Sequence, residues 1–276
     1  MKTIANALIF SLFISLPLAA QPPGWDAFVS GDFEKARSAG QKDGSAEGLA
    51  HACRAGLILA GFKEKGTKAI QSLHMAIRNC NAALQLQPDH FFAKMSLAIG
   101  LSYEGRRLKR PSYPLRAKAY LQELIVQEPM NPLGHGALAA WHSEVSAAGF
   151  IARIALGARR SKAEKSFKLA RIREGTDYAL RFEYVKFLAR GNKKMRLLAL
   201  AEAQSLIQES KLSAFDHILK KHCEILAAAL EKNSKRAIKT ALKQASAFQN
   251  ASSEREVARY PLEQLVRLTA EQGTGK

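Results

Sequence analysis

The chain has 276 residues, 47% of them hydrophobic and 24% charged, with a formal charge of +18. This is a globular composition that leans towards helix, and the length buries a sizeable core without relying on disulfides or metals. The positive charge points to anionic partners such as lipid, cell-wall polymer or nucleic acid, or else to a solvated surface that keeps the protein soluble.

Residues 1–20, "MKTIANALIFSLFISLPLAA", place Lys2 before a mostly apolar stretch from Ile4 to Leu16 and end in Ala19-Ala20. That is the layout of a cleaved secretory signal. The alternative, a membrane anchor, needs about 20 apolar residues, more than this stretch has. The mature chain is expected to start at Gln21, to be periplasmic or secreted, and not to be transmembrane after processing. Export permits disulfides. The three cysteines are Cys53, Cys80 and Cys223, so at least one is unpaired within the chain. Residues 47–62 and 68–86 read as a helix pair joined near "KEKGT". Cys53 and Cys80 then differ in level by about 4.5 Å, which makes them disulfide candidates. The other reading is two small core residues.

Three segments share one spacing. They are Ala76, Cys80, Ala83, Pro88; then Ala117, Leu121, Leu124, Pro129; then Ala163, Phe167, Ala170, Gly175. Steps of four and three keep side chains on one helical face, and each series ends at a helix stopper. A second helix follows each stopper, at Lys94, Leu97, Ala98, Leu101; His135, Leu138, Ala139, His142; and Arg181, Tyr184, Val185, Leu188. Two segments, "RRLKRPSYP" and "GFIARIALGARR", lengthen the interval between copies.

Within "AAWHSEV" a catalytic or metal role is conceivable, but His142 and Glu144 lie 200° apart on a helix. His135 and His142 are two turns apart, about 10.5 Å, with Leu138 between them. Packing of Trp141 and His142 at a repeat interface is the better reading. In "DHILKKHC", His217, His222 and Cys223 lack zinc spacing, and adjacent helical residues do not face each other as a nucleophile and base must. Tyr184, Phe187 and Leu188 form a core stripe rather than a platform for nucleic-acid bases. No catalytic, cofactor or metal residues are assigned. Residues 151–200 hold 14 Lys and Arg against 4 Asp and Glu. Arg153, Arg159, Arg160, Lys162 and Lys165 are therefore candidates for an anionic partner, with Lys168, Arg171 and Arg173 close by.

The A-x₃-F, A and P spacing, plainest at Ala163, Phe167 and Ala170, resembles the tetratricopeptide repeat. His135 and His142 stand where that family has Trp and Tyr, and the interval departs from the family's 34 residues. The stretch from Cys53 through "WHSEV" to "GAR" also resembles exported proteobacterial repeat proteins and, more distantly, the eukaryotic regulator of microtubule dynamics family. The resemblance implies an all-α solenoid of helix pairs. An N-terminal cap would span residues 21–65 and include "GDFEKA", repeats would span 66–211, and a C-terminal helical cap 212–276. The implied function is a non-enzymatic periplasmic scaffold for a protein or peptide partner. A binder of anionic envelope polymer or lipid head groups is the alternative.

Overall fold

The computed structural model describes residues 21–170, 172 and 176–249. The signal-like segment 1–20, Arg171, Arg173, Gly175 and the end of the expected C-terminal cap, 250–276, lie outside the described residues.

The described residues form helices and contain no strand. In chain order these are α1 (Trp25–Ser30), α2 (Phe33–Asp43), α3 (Ala46–Ile58), a π-helical turn (Leu59–Lys63), α4 (Gly66–Leu86), α5 (Phe91–Leu108) and α6 (Ser112–Gln127). They continue with α7 (Pro132–Ala147), α8 (Phe150–Ala155), α9 (Arg160–Leu169), α10 (Tyr178–Ala189), α11 (Lys193–Ile207), α12 (Ala214–Glu231) and α13 (Lys235–Gln244). Local sequence sets many of the starts. Asp32, Ser45, Asn131, Asp177, Asn192, Ser213 and Ser234 each accept a backbone N–H from the first turn of the helix they precede. A cap of this kind contributes about 1 kcal/mol. At Ser213 the side chain of Asp216 accepts in turn from the Ser213 backbone N–H and completes a capping box.

Successive helices pack together, as pairs α3 with α4, α5 with α6, α7 with α9, α10 with α11 and α12 with α13, and also between pairs, α2 with α3, α4 with α5 and α11 with α12. The pairing reaches back to Ala46, inside the stretch expected to be a cap. Each pair buries the four–three stripe of its second helix: Ala76, Cys80 and Ala83 in α4, Ala117, Leu121 and Leu124 in α6, and Ala163, Phe167 and, just past its end, Ala170 in α9. Small residues in these stripes let the helices approach closely, and large ones such as Leu121 and Leu124 each contribute about 1.5–3 kcal/mol by leaving water. First helices also pack on one another, α3 on α5, α7 on α10 and α10 on α12, whereas α5 and α7 barely touch.

That gap divides the core. One apolar cluster joins α3–α6 with Trp141, and a second joins Ala139 of α7 with α9–α13. The row of pairs curls until α12 meets α1, where Phe28, Phe33 and Ile58 pack against Ala214, Phe215 and Ile218. Cys53 of α3 and Cys80 of α4 are joined in a disulfide, with Cα atoms 5.3 Å apart. Cys223 is free and buried.

Candidate binding groove

The gap between α5 and α7 opens into a groove of about 1670 Å³, with α10 forming its far wall. Its floor is apolar, from Ile99 of α5, Leu133, Ala137 and Ala140 of α7, and Leu180 of α10. Gly136 permits the tight junction of α7 and α10, because a Cβ there would run into the Leu180 side chain. The segment after α13 closes one side. Arg106 donates to the Ala247 carbonyl at 2.9 Å, the Phe248 N–H donates to the Gly61 carbonyl at 2.9 Å, and the Phe248 ring lies 4.2 Å from that of Tyr103. Gly61 packs closely at this closure, where a Cβ would sit 3.2 Å from the Phe248 ring.

Three carboxylates line the groove, and each is already engaged. Glu144 receives Lys186 at 3.2 Å and Arg190 at 2.8 Å, Glu183 receives Lys186 at 2.6 Å, and Asp177 caps α10. Burial on its own would raise the Glu144 carboxyl, but Lys186 and Arg190 overcome it and hold the group down to about 2. Burial likewise works to lower the Lys186 ammonium, and Glu144 and Glu183 outweigh it and hold it above its ordinary value. Lys186 is the hub of this network and is almost wholly buried. Arg106, Arg153, Arg196, Lys239 and Lys243 also line the groove, so with its acids spent it presents a basic rim around an apolar floor.

The residues of "WHSEV" take separate parts. Trp141 is buried, and its indole N–H donates to the Pro114 carbonyl at 3.1 Å. His142 packs edge-on against it, with rings 5.0 Å apart. Burial, helped by Lys118 and Lys162, pushes the His142 imidazole down to about 4, so it is neutral at physiological pH. Ser143 accepts a hydrogen bond from Arg190 at 3.0 Å. Leu138 is half-buried against the first core. Nothing here assembles a nucleophile. Burial raises the Cys223 thiol to about 12, and its sulfur faces the Ala203 carbonyl. Among the described residues no group of three or more His, Cys, Asp or Glu converges as a metal site, and no helix is long and apolar enough to cross a membrane.

The basic candidates do not share one face. Arg153, Arg159, Lys162 and Lys165 are exposed, but only Arg153 of these four lines the groove. Arg160 lines the groove but is tied to its neighbours. It is half-buried and donates to the carbonyls of Arg190 and Phe187, with its guanidinium 4.6 Å from the Phe187 ring centre. It braces the start of α9 against α10 and α11.

Sequence patterning missed the charges inside the pairs. Lys94 donates to Gln127 at 3.0 Å and lies 3.4 Å from Glu123, tying α5 to α6. Arg181 holds Glu202 at 2.6 Å, with Glu209 and Ser205, tying α10 to α11. Both occupy the same position in their helices, six residues after the stopper. The signal was available as a basic residue at one register position of otherwise apolar stripes. No protein-family model and no curated protein matches this sequence.

Proposed function

We propose that the protein is an exported, non-enzymatic, tetratricopeptide-like scaffold that holds an acidic, partly apolar peptide segment of a partner protein in the groove between α5, α7 and α10. The observation that carries this reading is the groove itself, an apolar floor inside a rim whose carboxylates are engaged and whose remaining charges are basic. Its volume of about 1670 Å³ exceeds the roughly 300–1,000 Å³ of a small-molecule site and suits an extended stretch of chain. The paired helices, the shared stripe spacing and the packing of first helix on first helix support the repeat resemblance. The signal-like residues 1–20 support export to the periplasm.

The test is a random-peptide selection on the mature chain, followed by titration of the selected peptide. Enriched sequences should be acidic with large apolar residues, and Ala140→Trp, which fills the floor, should weaken binding tenfold or more. A selection without enrichment, or a peptide that binds Ala140→Trp as well as the unmodified chain, would contradict the reading.

A further inference from the structure

The two segments that lengthen the repeat interval both contribute to the lining of the groove. Lys109, Arg110 and Pro111, from the turn between α5 and α6, line the same groove as Ile151, Ala152 and Arg153 of α8. Neither stretch contains an acid: residues 105–122 and 145–163 have no Asp or Glu. Lys109, Arg110, Arg153, Arg159 and Lys162 are all exposed.

The helix α8 is unlike the others because it buries no residue. It is held to the body through Leu156 and Ala158, just past its C-terminal end, which are buried in the first core. Phe150, Ile151 and Ile154 are left 66%, 83% and 63% exposed. At 100° per residue these three side chains cover an arc of about 100°. Arg153 flanks that arc, its guanidinium 5.3 Å from the Phe150 ring centre. Single exposed apolar residues are ordinary on a protein surface, but three large ones within six residues form a patch that gains on leaving water.

We propose that α8 and the α5–α6 turn form a peripheral docking lip for an anionic lipid bilayer. Phe150, Ile151 and Ile154 enter the boundary between head groups and acyl chains, while Arg153, Lys109 and Arg110 engage lipid phosphates. An apolar arc flanked by cations is the arrangement of interfacial helices, and each basic side chain adds attraction near an anionic membrane. A soluble polyanion would use the cations and leave the isoleucines in water, so the apolar arc selects the bilayer. The lip shares Lys109, Arg110 and Arg153 with the groove lining, and its apolar arc distinguishes docking on a bilayer from binding of a peptide.

The experiment uses the mature chain with its disulfide intact and phosphatidylcholine vesicles with or without phosphatidylglycerol. The protein should sediment with the phosphatidylglycerol vesicles and be released as salt rises. Ile151→Ser with Ile154→Ser, and separately Lys109→Gln with Arg110→Gln and Arg153→Gln, should each weaken retention tenfold or more. Because the replaced side chains are exposed, helicity should be unchanged. In Phe150→Trp, a conservative replacement, the added tryptophan emission should shift to the blue on addition of the anionic vesicles. Failure to sediment with phosphatidylglycerol vesicles overturns the proposal. So does retention that survives the two serine substitutions, which would assign the basic lip to a soluble polyanion. An unshifted Phe150→Trp emission in protein that has sedimented also overturns it.

Discussion

Between α3 and α6 a disulfide supplements the apolar core, whereas between α7 and α10 a network of buried charges supplements it. Cys53 and Cys80 fix α3 to α4 covalently. Glu104, wholly buried in that half, is met at short range by His74 of α4 at 2.9 Å and by Arg107 of its own helix. Across the groove, Glu144 of α7 reaches Lys186 of α10 and Arg190 just past its C-terminal end, so the ion network there joins one helix pair to the next. The covalent half gains from constraint of the unfolded chain. The ionic network of the other half adds to its apolar core only while every charge keeps its partner. The groove lies on the seam between them, and its basic character comes from the same network, which uses up the acids.

The largest test of this contrast is Lys186→Met. Removing the hub leaves Glu144 and Glu183 without their shared cation, and a broken buried pair costs about 3–5 kcal/mol. Denaturant titration should show that loss, and adding Glu144→Met should restore part of it because neighbouring deletions are not additive. A single-variant cost close to zero would remove the network as the lock between α7 and α10.

Reduction is the complementary test on the other half. The disulfide spans 27 residues, and closing a loop of that length contributes about 2–4 kcal/mol. Cys53→Ser with Cys80→Ser should therefore lower stability by that amount, with hydrogen exchange rising first in α3 and α4. Faster exchange confined to α10–α13 would reverse the assignment of locks to halves.

Acid should give a smaller, graded loss. His142 is held at about 4 in the folded protein, so between its unfolded value of about 6.5 and 4 the unfolded chain binds a proton that the folded chain does not. Stability is then lost as pH falls through that window. Burial lowers the imidazoles of His51 and His222 in the same direction. Glu144, held at about 2, extends the loss below pH 4.5, and Glu104, also held low by His74 and Arg107 against its burial, adds to it. The His142 share is on the order of 2 kcal/mol, and His142→Phe should flatten the upper part of the curve. Thermal unfolding from pH 7 to pH 4 measures it, and a midpoint independent of pH above 4.5 would contradict the buried neutral imidazole.

Helical class and the buried stripes were legible because they are local. Ala76, Ala83, Ala117, Leu121, Ala163 and Phe167 fall at intervals of four and three, and a helix that buries one face has no other way to space them. The separation of His142 from Glu144 could be read for the same reason. What escaped was long-range. Glu144 is satisfied by a residue 46 positions away and Arg181 by residues 21 and more away, so no window of sequence contains both partners. Arg160 read as a surface cation because its acceptors are backbone carbonyls, which carry no sequence signature. The meeting of α12 with α1, and the groove between α5, α7 and α10, bring together residues far apart in the chain, which no local spacing records.

In the proposed scaffold, the partner segment lies along the seam between α5 and α7. Photo-crosslinking tests this most directly, with a photoreactive side chain placed at Ile99 or Ala140 on the seam, or at Val126 on the exposed side of α6, and with the selected acidic peptide as bait. Efficient labelling from Ile99 and Ala140, none from Val126, and loss of the seam labelling on addition of excess unlabelled peptide are the predicted results. Labelling from Val126 with silence at Ile99 and Ala140 would place the partner on the opposite surface and contradict the account.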